Sequence, residues 1–254
     1  MTSDDPDEPL TAILTVWKRP TLARQLAALR AQTRPPREVW IYHCGTHTDP
    51  EPAVRSIDWA RVNYVRSEHD LGFFGRFALA AMVETPLATV IDDDMIPGPG
   101  WLEHAGAKHR HYSAVVSAQG CILPKRSTDP RNGMYPASLG RLAQDMMVDF
   151  GCCSWLFRSE WARAMWTIPP IHLRNAEDMH FAAALALRGI RTMVPQQEPP
   201  HTTANREPDI GHDRHAAYLD RERYAIERNV TLNHLRAVGW KLLLEEPRPS
   251  RAVR

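Results

Sequence analysis

The run Leu87-Ala88-Thr89-Val90-Ile91 passes without a break into Asp92-Asp93-Asp94, and then into the turn Pro97-Gly98-Pro99-Gly100. A short apolar, β-branched run bounded by turn residues reads as a buried strand. Three acids at its carboxyl end are costly to bury and contribute nothing to packing. They belong where an open α/β sheet places its ligands, outside the carboxyl ends of the strands. Asp92 and Asp94 are two residues apart, so on extended backbone they share a face. Two carboxylates on one face repel each other unless a cation lies between them. Oxygen-only ligands select a hard ion, Mn2+ or Mg2+, of the kind that also binds substrate phosphates. The competing reading is a solvated acidic turn, and the rest of the chain decides between the two.

Around this run, strand and helix patterns alternate. Residues 11–17, 38–42, 62–65 and 87–91 read as strands, with amphipathic helices at 21–32 and 75–84 between them. That alternation predicts a doubly wound, mostly parallel sheet flanked by helices, an α/β fold in a single domain. The second half is less regular. Helices are expected at 101–111, 159–166 and 177–188, strands at 114–122, 148–157 and 191–194, and two closing helices near 216–228 and 232–244. Two polar stretches, 124–144 and 196–213, read as long loops of functional type. The acidic, Pro-rich residues 1–9 and the Pro/Arg tail 246–254 are expected to be disordered and flexible, leaving 10–245 as the domain.

Composition narrows the function classes. The 254 residues are 43% hydrophobic with a formal net charge of +1, so neither nucleic acid nor an anionic membrane is demanded as a partner. There is no run long and apolar enough to span a membrane and no secretory leader pattern, which predicts a cytoplasmic protein. The four cysteines lack metal-ligand spacing and read as reduced, buried thiols.

Taken together, the segments resemble the GT-A fold of nucleotide-sugar-dependent glycosyltransferases, most closely family 2, over roughly residues 11–201. The resemblance is carried by Ile13-Leu14-Thr15-Val16-Trp17-Lys18-Arg19-Pro20, by His69-Asp70-Leu71-Gly72 with the Arg76-Phe77-Ala78-Leu79-Ala80 helix, and by the acid triplet with Trp101-Leu102. Further on, Val148-Asp149-Phe150-Gly151, the strand Trp155-Leu156-Phe157-Arg158 and Ala176-Glu177-Asp178-Met179-His180-Phe181 continue it. The resemblance implies a nucleotide-sugar half at 10–122 and an acceptor half at 123–245. In that scheme Val16, Trp17 and Arg19 line the nucleotide, Asp70 and Arg76 meet base or phosphates, and Asp92 and Asp93 contact the donor. Asp94 with Asp92 binds the metal, completed by His201, and Asp178 is the catalytic base supported by Glu177. One departure stands out: after the second strand the family has an Asp that reads uracil, whereas this chain has Tyr42-His43-Cys44-Gly45-Thr46.

Each role competes with a plainer one. Acids at a helix start are favoured by the helix dipole whatever their function, which applies to Glu177 and Asp178. His201 competes with His212 and His215. Trp17 can be simple core. The arginines Arg206, Arg214, Arg221, Arg223, Arg228 and Arg236 leave room for a phosphate-bearing acceptor, but their interspersed acids favour a solvated helix face. The expected activity is metal-dependent transfer, with inversion, from a UDP-sugar to an acceptor hydroxyl on a glycan, lipid-linked sugar, protein or hydroxylated DNA base. The alternatives are a retaining exostosin-like transferase, a nucleotidyltransferase and an inactive carbohydrate-binding module.

Overall fold

The computed structural model describes residues 8–59, 61–135, 142–207 and 209–246. The disorder expected before residue 8 and after 246 lies outside the described residues. Glu8 and Pro9, expected to be disordered, belong to the domain: buried Glu8 pairs with Arg158 at 2.8 Å, and the Pro9 carbonyl accepts the Leu87 N–H.

One sheet of eight strands organises the chain, in the order β3-β2-β1-β4-β7-β5-β8-β6. The strands are β1 (Leu10–Val16), β2 (Glu38–Cys44), β3 (Val62–Ser67), β4 (Leu87–Ile91), β5 (Val115–Cys121), β6 (Met146–Val148), β7 (Phe150–Arg158) and β8 (Thr192–Val194). β1 pairs in parallel with both β2 and β4, and β2 with β3. β7 then enters antiparallel between β4 and β5, and β6 pairs antiparallel with β8. The sheet is therefore mostly parallel, with its two reversed strands in the second half. The expected strand 148–157 is in fact two strands broken at Asp149. Its carboxylate leaves the ladder to accept the backbone N–H groups of Leu123 at 2.7 Å and Leu243 at 2.5 Å.

All of β1 and β4 is buried, as expected of strands covered on both faces. On one face Leu10, Ala12, Leu14 and Val16 of β1 meet α1 (Leu22–Arg30) and α4 (Trp101–Tyr112) through Leu22, Leu29, Trp101, Leu102 and Ala105. On the other, Ile13, Ala88 and Val90 meet α3 (Gly75–Ala80) and α5 (Glu177–Ala186) through Phe77, Ala80, Phe181 and Leu185. A short helix α2 (Glu51–Arg55) forms where the sequence reads as polar loop. The two expected closing helices are one, α6 (Arg221–Ala237), and Ser159–Thr167 is a 3-10 helix. Among the described residues no helix is long and apolar enough to cross a membrane.

The registers align the strand ends. Leu14 of β1 faces Ile91, the last residue of β4, and Val16 faces His43 near the end of β2. The acid triplet and the Trp17-Lys18-Arg19 turn thus leave the sheet side by side.

Candidate active site

The triplet forms a turn rather than continuing the strand, and its three carboxylates take different environments. Gln25 of α1 fixes the turn's backbone by donating Nε2 to the carbonyls of Asp92 (2.7 Å) and Met95 (3.1 Å). Thr21 donates its hydroxyl to the Asp93 carbonyl at 2.6 Å. The Asp93 side chain is structural: it accepts Arg19 Nη1 at 2.7 Å and the Lys18 N–H at 3.2 Å, locking the two turns together. Asp92 and Asp94 each keep a buried Oδ1 without a hydrogen-bond partner. For Asp92 that oxygen lies 3.2 Å from Arg76 Nη2, close enough for attraction but not aligned as a hydrogen bond. Burial raises the pKa of Asp92 well above the carboxylate range, against the pull of Arg76. Burial and the neighbouring Asp93 push Asp94 up to about 6.

Arg76 ties this turn to the second acidic pair. Its guanidinium is buried among the rings of Phe73, Phe77 and Trp155, and its Nη2 reaches Glu177 Oε1 at 2.6 Å as well as Asp92. A buried arginine needs such partners, because its charge cannot be given up. Glu177 is buried, which raises its pKa, with Arg76 opposing. Asp178 is held differently. Arg228 of α6 clamps both of its oxygens, Nη1 to Oδ1 at 3.0 Å and Nη2 to Oδ2 at 2.9 Å, and all four groups are buried. Neither acid caps the helix, since Ala176 occupies the N-cap position with φ 64°. Cys153, whose carbonyl accepts the Asp92 N–H at 3.0 Å, has φ 72°. Left-handed backbone at non-glycine residues costs about 1–3 kcal/mol and persists only where the surroundings hold it, typically at functional sites.

The remaining expected residues divide. Val16 is buried at the end of β1. Trp17 stands edge-on to Phe73 (5.8 Å) and His47 (6.2 Å), with Lys18 Nζ 3.8 Å above its ring and a buried indole N–H left without a partner. Arg19 joins three acids: besides Asp93, it lies 3.4 Å from Asp94 and forks onto Asp213 through Nε (2.8 Å) and Nη2 (2.9 Å). Asp70 is not brought to the acid turn. Its exposed carboxylate accepts the Gly72 N–H at 2.8 Å and the Cys44 thiol at 3.7 Å, shaping its own loop. His201 is not brought there either. It is exposed, and its ring packs against the backbone of Gly100, where an added Cβ would lie 2.6 Å from Nε2. A different part of the same loop covers the acids. Asn205 Nδ2 donates to the Asp94 carbonyl at 3.2 Å, and Gly211 (φ 99°) approaches so closely that a Cβ there would lie 2.7 Å from Asp94 Oδ2.

Two residues of the site carry no mark in the sequence. Arg228 sits in a stretch whose interspersed acids favour a solvated helix face, yet it is buried and paired. Asp213 lay in an irregular loop with no pattern to mark it. Among the described residues no three His, Cys, Asp or Glu side chains converge as a metal cage. Two carboxylate oxygens without hydrogen-bond partners nonetheless suit a hard cation of the kind that takes one or two protein carboxylates and draws its other ligands from phosphate and water.

No protein-family model matches the chain, and no curated protein is similar enough in sequence to match it. Solved structures do match. The mannosyltransferase PcManGT from Pyrobaculum calidifontis, in complex with GDP-Man and Mn2+, aligns with TM-score 0.58 and 18% identity over 97% of this chain and 68% of that one. GalNAc-T7 with UDP, GalNAc and Mn2+ aligns with TM-score 0.57 and 9% identity over 74% of this chain. Residues 1–349 of S. aureus TarS align with TM-score 0.55 and 16% identity over 75%. The chain spans 41% of the GalNAc-T7 chain and 58% of the TarS chain. These likenesses establish the GT-A fold that the sequence motifs resemble.

Proposed function

We propose that this GT-A-fold chain is a metal-dependent glycosyltransferase that moves a sugar, with inversion, from a nucleoside diphosphate sugar, UDP-sugar first, to an acceptor hydroxyl. The observation that carries this reading is the pair of buried Oδ1 atoms of Asp92 and Asp94 at the carboxyl end of β4, neither of which has a hydrogen-bond partner. Residues 10–122 form the donor half in this scheme and 123–245 the acceptor half.

Asp92 and Asp94 would hold Mn2+ or Mg2+, which supplies Lewis-acid stabilisation of the leaving diphosphate. Arg19 stands beside the acid turn, 3.4 Å from Asp94, while the Lys18 ammonium lies over the Trp17 ring. Arg76 spans the two acidic pairs, holding Glu177 at a set position relative to Asp92. The acceptor hydroxyl must lose its proton as the new bond forms. Of the two candidate acids, Asp178 has both oxygens committed to Arg228, whereas Glu177 has a single ion pair and a proton affinity raised by burial. The base role expected of Asp178 therefore moves to Glu177, with Asp178 as its anchor. One base on the acceptor side gives direct displacement and inversion.

Incubation with an α-linked UDP-sugar and Mn2+ tests the reading even without an acceptor, by slow hydrolysis. UDP and free sugar are the expected products, with the β-anomer appearing first by NMR, and EDTA stops the reaction. UMP and a sugar 1-phosphate would instead mark a nucleotidyltransferase. Hydrolysis unaffected by EDTA would remove the metal from the scheme.

The donor base is expected on Trp17. Stacking of a base on an aromatic side chain contributes about 1–3 kcal/mol, so Trp17→Ala should weaken UDP binding at least about fivefold. Titration calorimetry on the folded variant checks this, with GDP as the comparison nucleotide. Unchanged affinity would return Trp17 to a packing role against Phe73.

A further inference from the structure

Arg19 uses its guanidinium as two separate forks. The Nη1 end faces Asp93, whose side chain is only 7% exposed, and this pair belongs to the packed base of the acid turn. The Nε/Nη2 edge faces Asp213, which is 194 residues away in sequence and 41% exposed. Side-on contact through Nε and Nη2 is the geometry with which an arginine takes either a carboxylate or a phosphate. The pair is bidentate and so stronger than an ordinary surface ion pair, but its carboxylate side is open to water and can be rehydrated when it leaves. The same segment also lies across Asp94 at Gly211, whose left-handed backbone and missing side chain permit the approach. Residues 209–215 thus cover both the outer edge of Arg19 and one oxygen of the carboxylate assigned to the cation.

We infer that Asp213 is an internal surrogate for the donor's phosphate, so that donor binding exchanges Asp213 for a diphosphate on the Nε/Nη2 edge of Arg19 and releases the 209–215 segment from Asp94. This rests on the nucleotide-sugar reading above and adds to it a phosphate-binding residue and a built-in competitor. Electrostatics favours the exchange. Without donor, one guanidinium faces the three carboxylates of Asp93, Asp94 and Asp213. A cation with a diphosphate can satisfy Asp94 and Arg19 together, the more highly charged phosphate replacing the single carboxylate of Asp213, which then returns to water.

The test uses Asp213→Asn, an exposed change that keeps shape and removes charge, with UDP, GDP, inorganic pyrophosphate and uridine as probes in the presence of Mn2+. If Asp213 competes with phosphate, the variant binds UDP, GDP and pyrophosphate about three- to tenfold tighter, while affinity for uridine does not change. Hydrogen exchange of residues 209–215 provides the second readout. It should rise in the wild type on adding pyrophosphate and Mn2+, and be high already in the variant. Equal or weaker pyrophosphate binding by Asp213→Asn overturns the latch and makes Asp213 a support of the site instead. Failure of the wild type to bind any nucleotide overturns the nucleotide-sugar reading, and the pyrophosphate arm still decides the latch.

Discussion

Asp94→Ala is expected to abolish turnover while leaving the protein folded and no less stable. The two halves of that expectation come from one observation. The Asp94 side chain is 26% exposed and lies beside Asp93, its Oδ1 is buried without a hydrogen-bond partner, and its Oδ2 has a glancing ion pair to Arg19 at 3.4 Å. A charge in that position costs folding free energy rather than adding to it, because desolvation and repulsion from Asp93 exceed the attraction of Arg19 and Arg76. Its removal leaves Arg19 with Asp93 and Asp213, so nothing buried is stranded. Catalysis responds in the opposite direction. A cation at a leaving diphosphate contributes several kcal/mol of transition-state stabilisation, and about 4 kcal/mol is a factor of about 10³ in rate. UDP affinity measured with Mn2+ should fall to its value in EDTA. Thermal unfolding recorded beside turnover checks both halves. Activity retained in Asp94→Ala would identify the triplet as a solvated turn, and a large loss of stability would identify it as a structural knot.

What could be read in the sequence was what depends on local order. The run 87–91 followed by three acids specifies a buried strand and a polar turn by itself, the 3.6-residue spacing of Leu22, Leu26 and Leu29 marks α1, and continuous apolar runs mark the buried parallel strands β1 and β4. Strand direction has no such local sign, so nothing in residues 150–158 announces that β7 enters the sheet reversed. The same limit hid the site's partners. Arg228 has the neighbours of any solvated helix arginine, and its burial follows only from Asp178, 50 residues earlier, being brought beneath α6. The link from Arg19 to Asp213 spans 194 residues and joins two irregular segments. For His201 the sequence supplied a plausible residue in a plausible loop. The fold turns its ring onto Gly100 and places Asn205 and Gly211 over the acids instead. The acids themselves are legible because burying charge is expensive enough to need a reason, and their partners are not because pairing is a property of the folded chain.

The sharpest contrast is expected between neighbouring residues. Asp178→Asn should behave as a folding variant. It leaves Arg228, itself buried between Phe150 and Tyr224, facing a neutral amide, and removing one partner of a buried ion pair costs about 3–5 kcal/mol. Glu177→Gln should behave as a catalytic variant. Arg76 keeps Asp92 at 3.2 Å, so the loss of stability is smaller, while loss of a general base lowers turnover by about 10²–10⁴. Donor affinity should be nearly unchanged in Glu177→Gln, because the lost interaction is made to the acceptor's proton in the transition state. Turnover, thermal midpoint and UDP affinity on the same preparations separate the two residues. An Asp178→Asn protein of wild-type stability and lost turnover would restore Asp178 as the base. That outcome would mean that the clamp from Arg228 opens when acceptor binds, freeing an oxygen that the closed arrangement keeps bound. A Glu177→Gln protein that turns over like wild type would reduce Glu177 to a counter-ion for Arg76. The bidentate geometry favours Glu177 as the base, since both oxygens of Asp178 are held by one buried guanidinium and Oδ1 also accepts the Met179 N–H at 2.7 Å, which leaves less of that carboxylate for an acceptor hydroxyl.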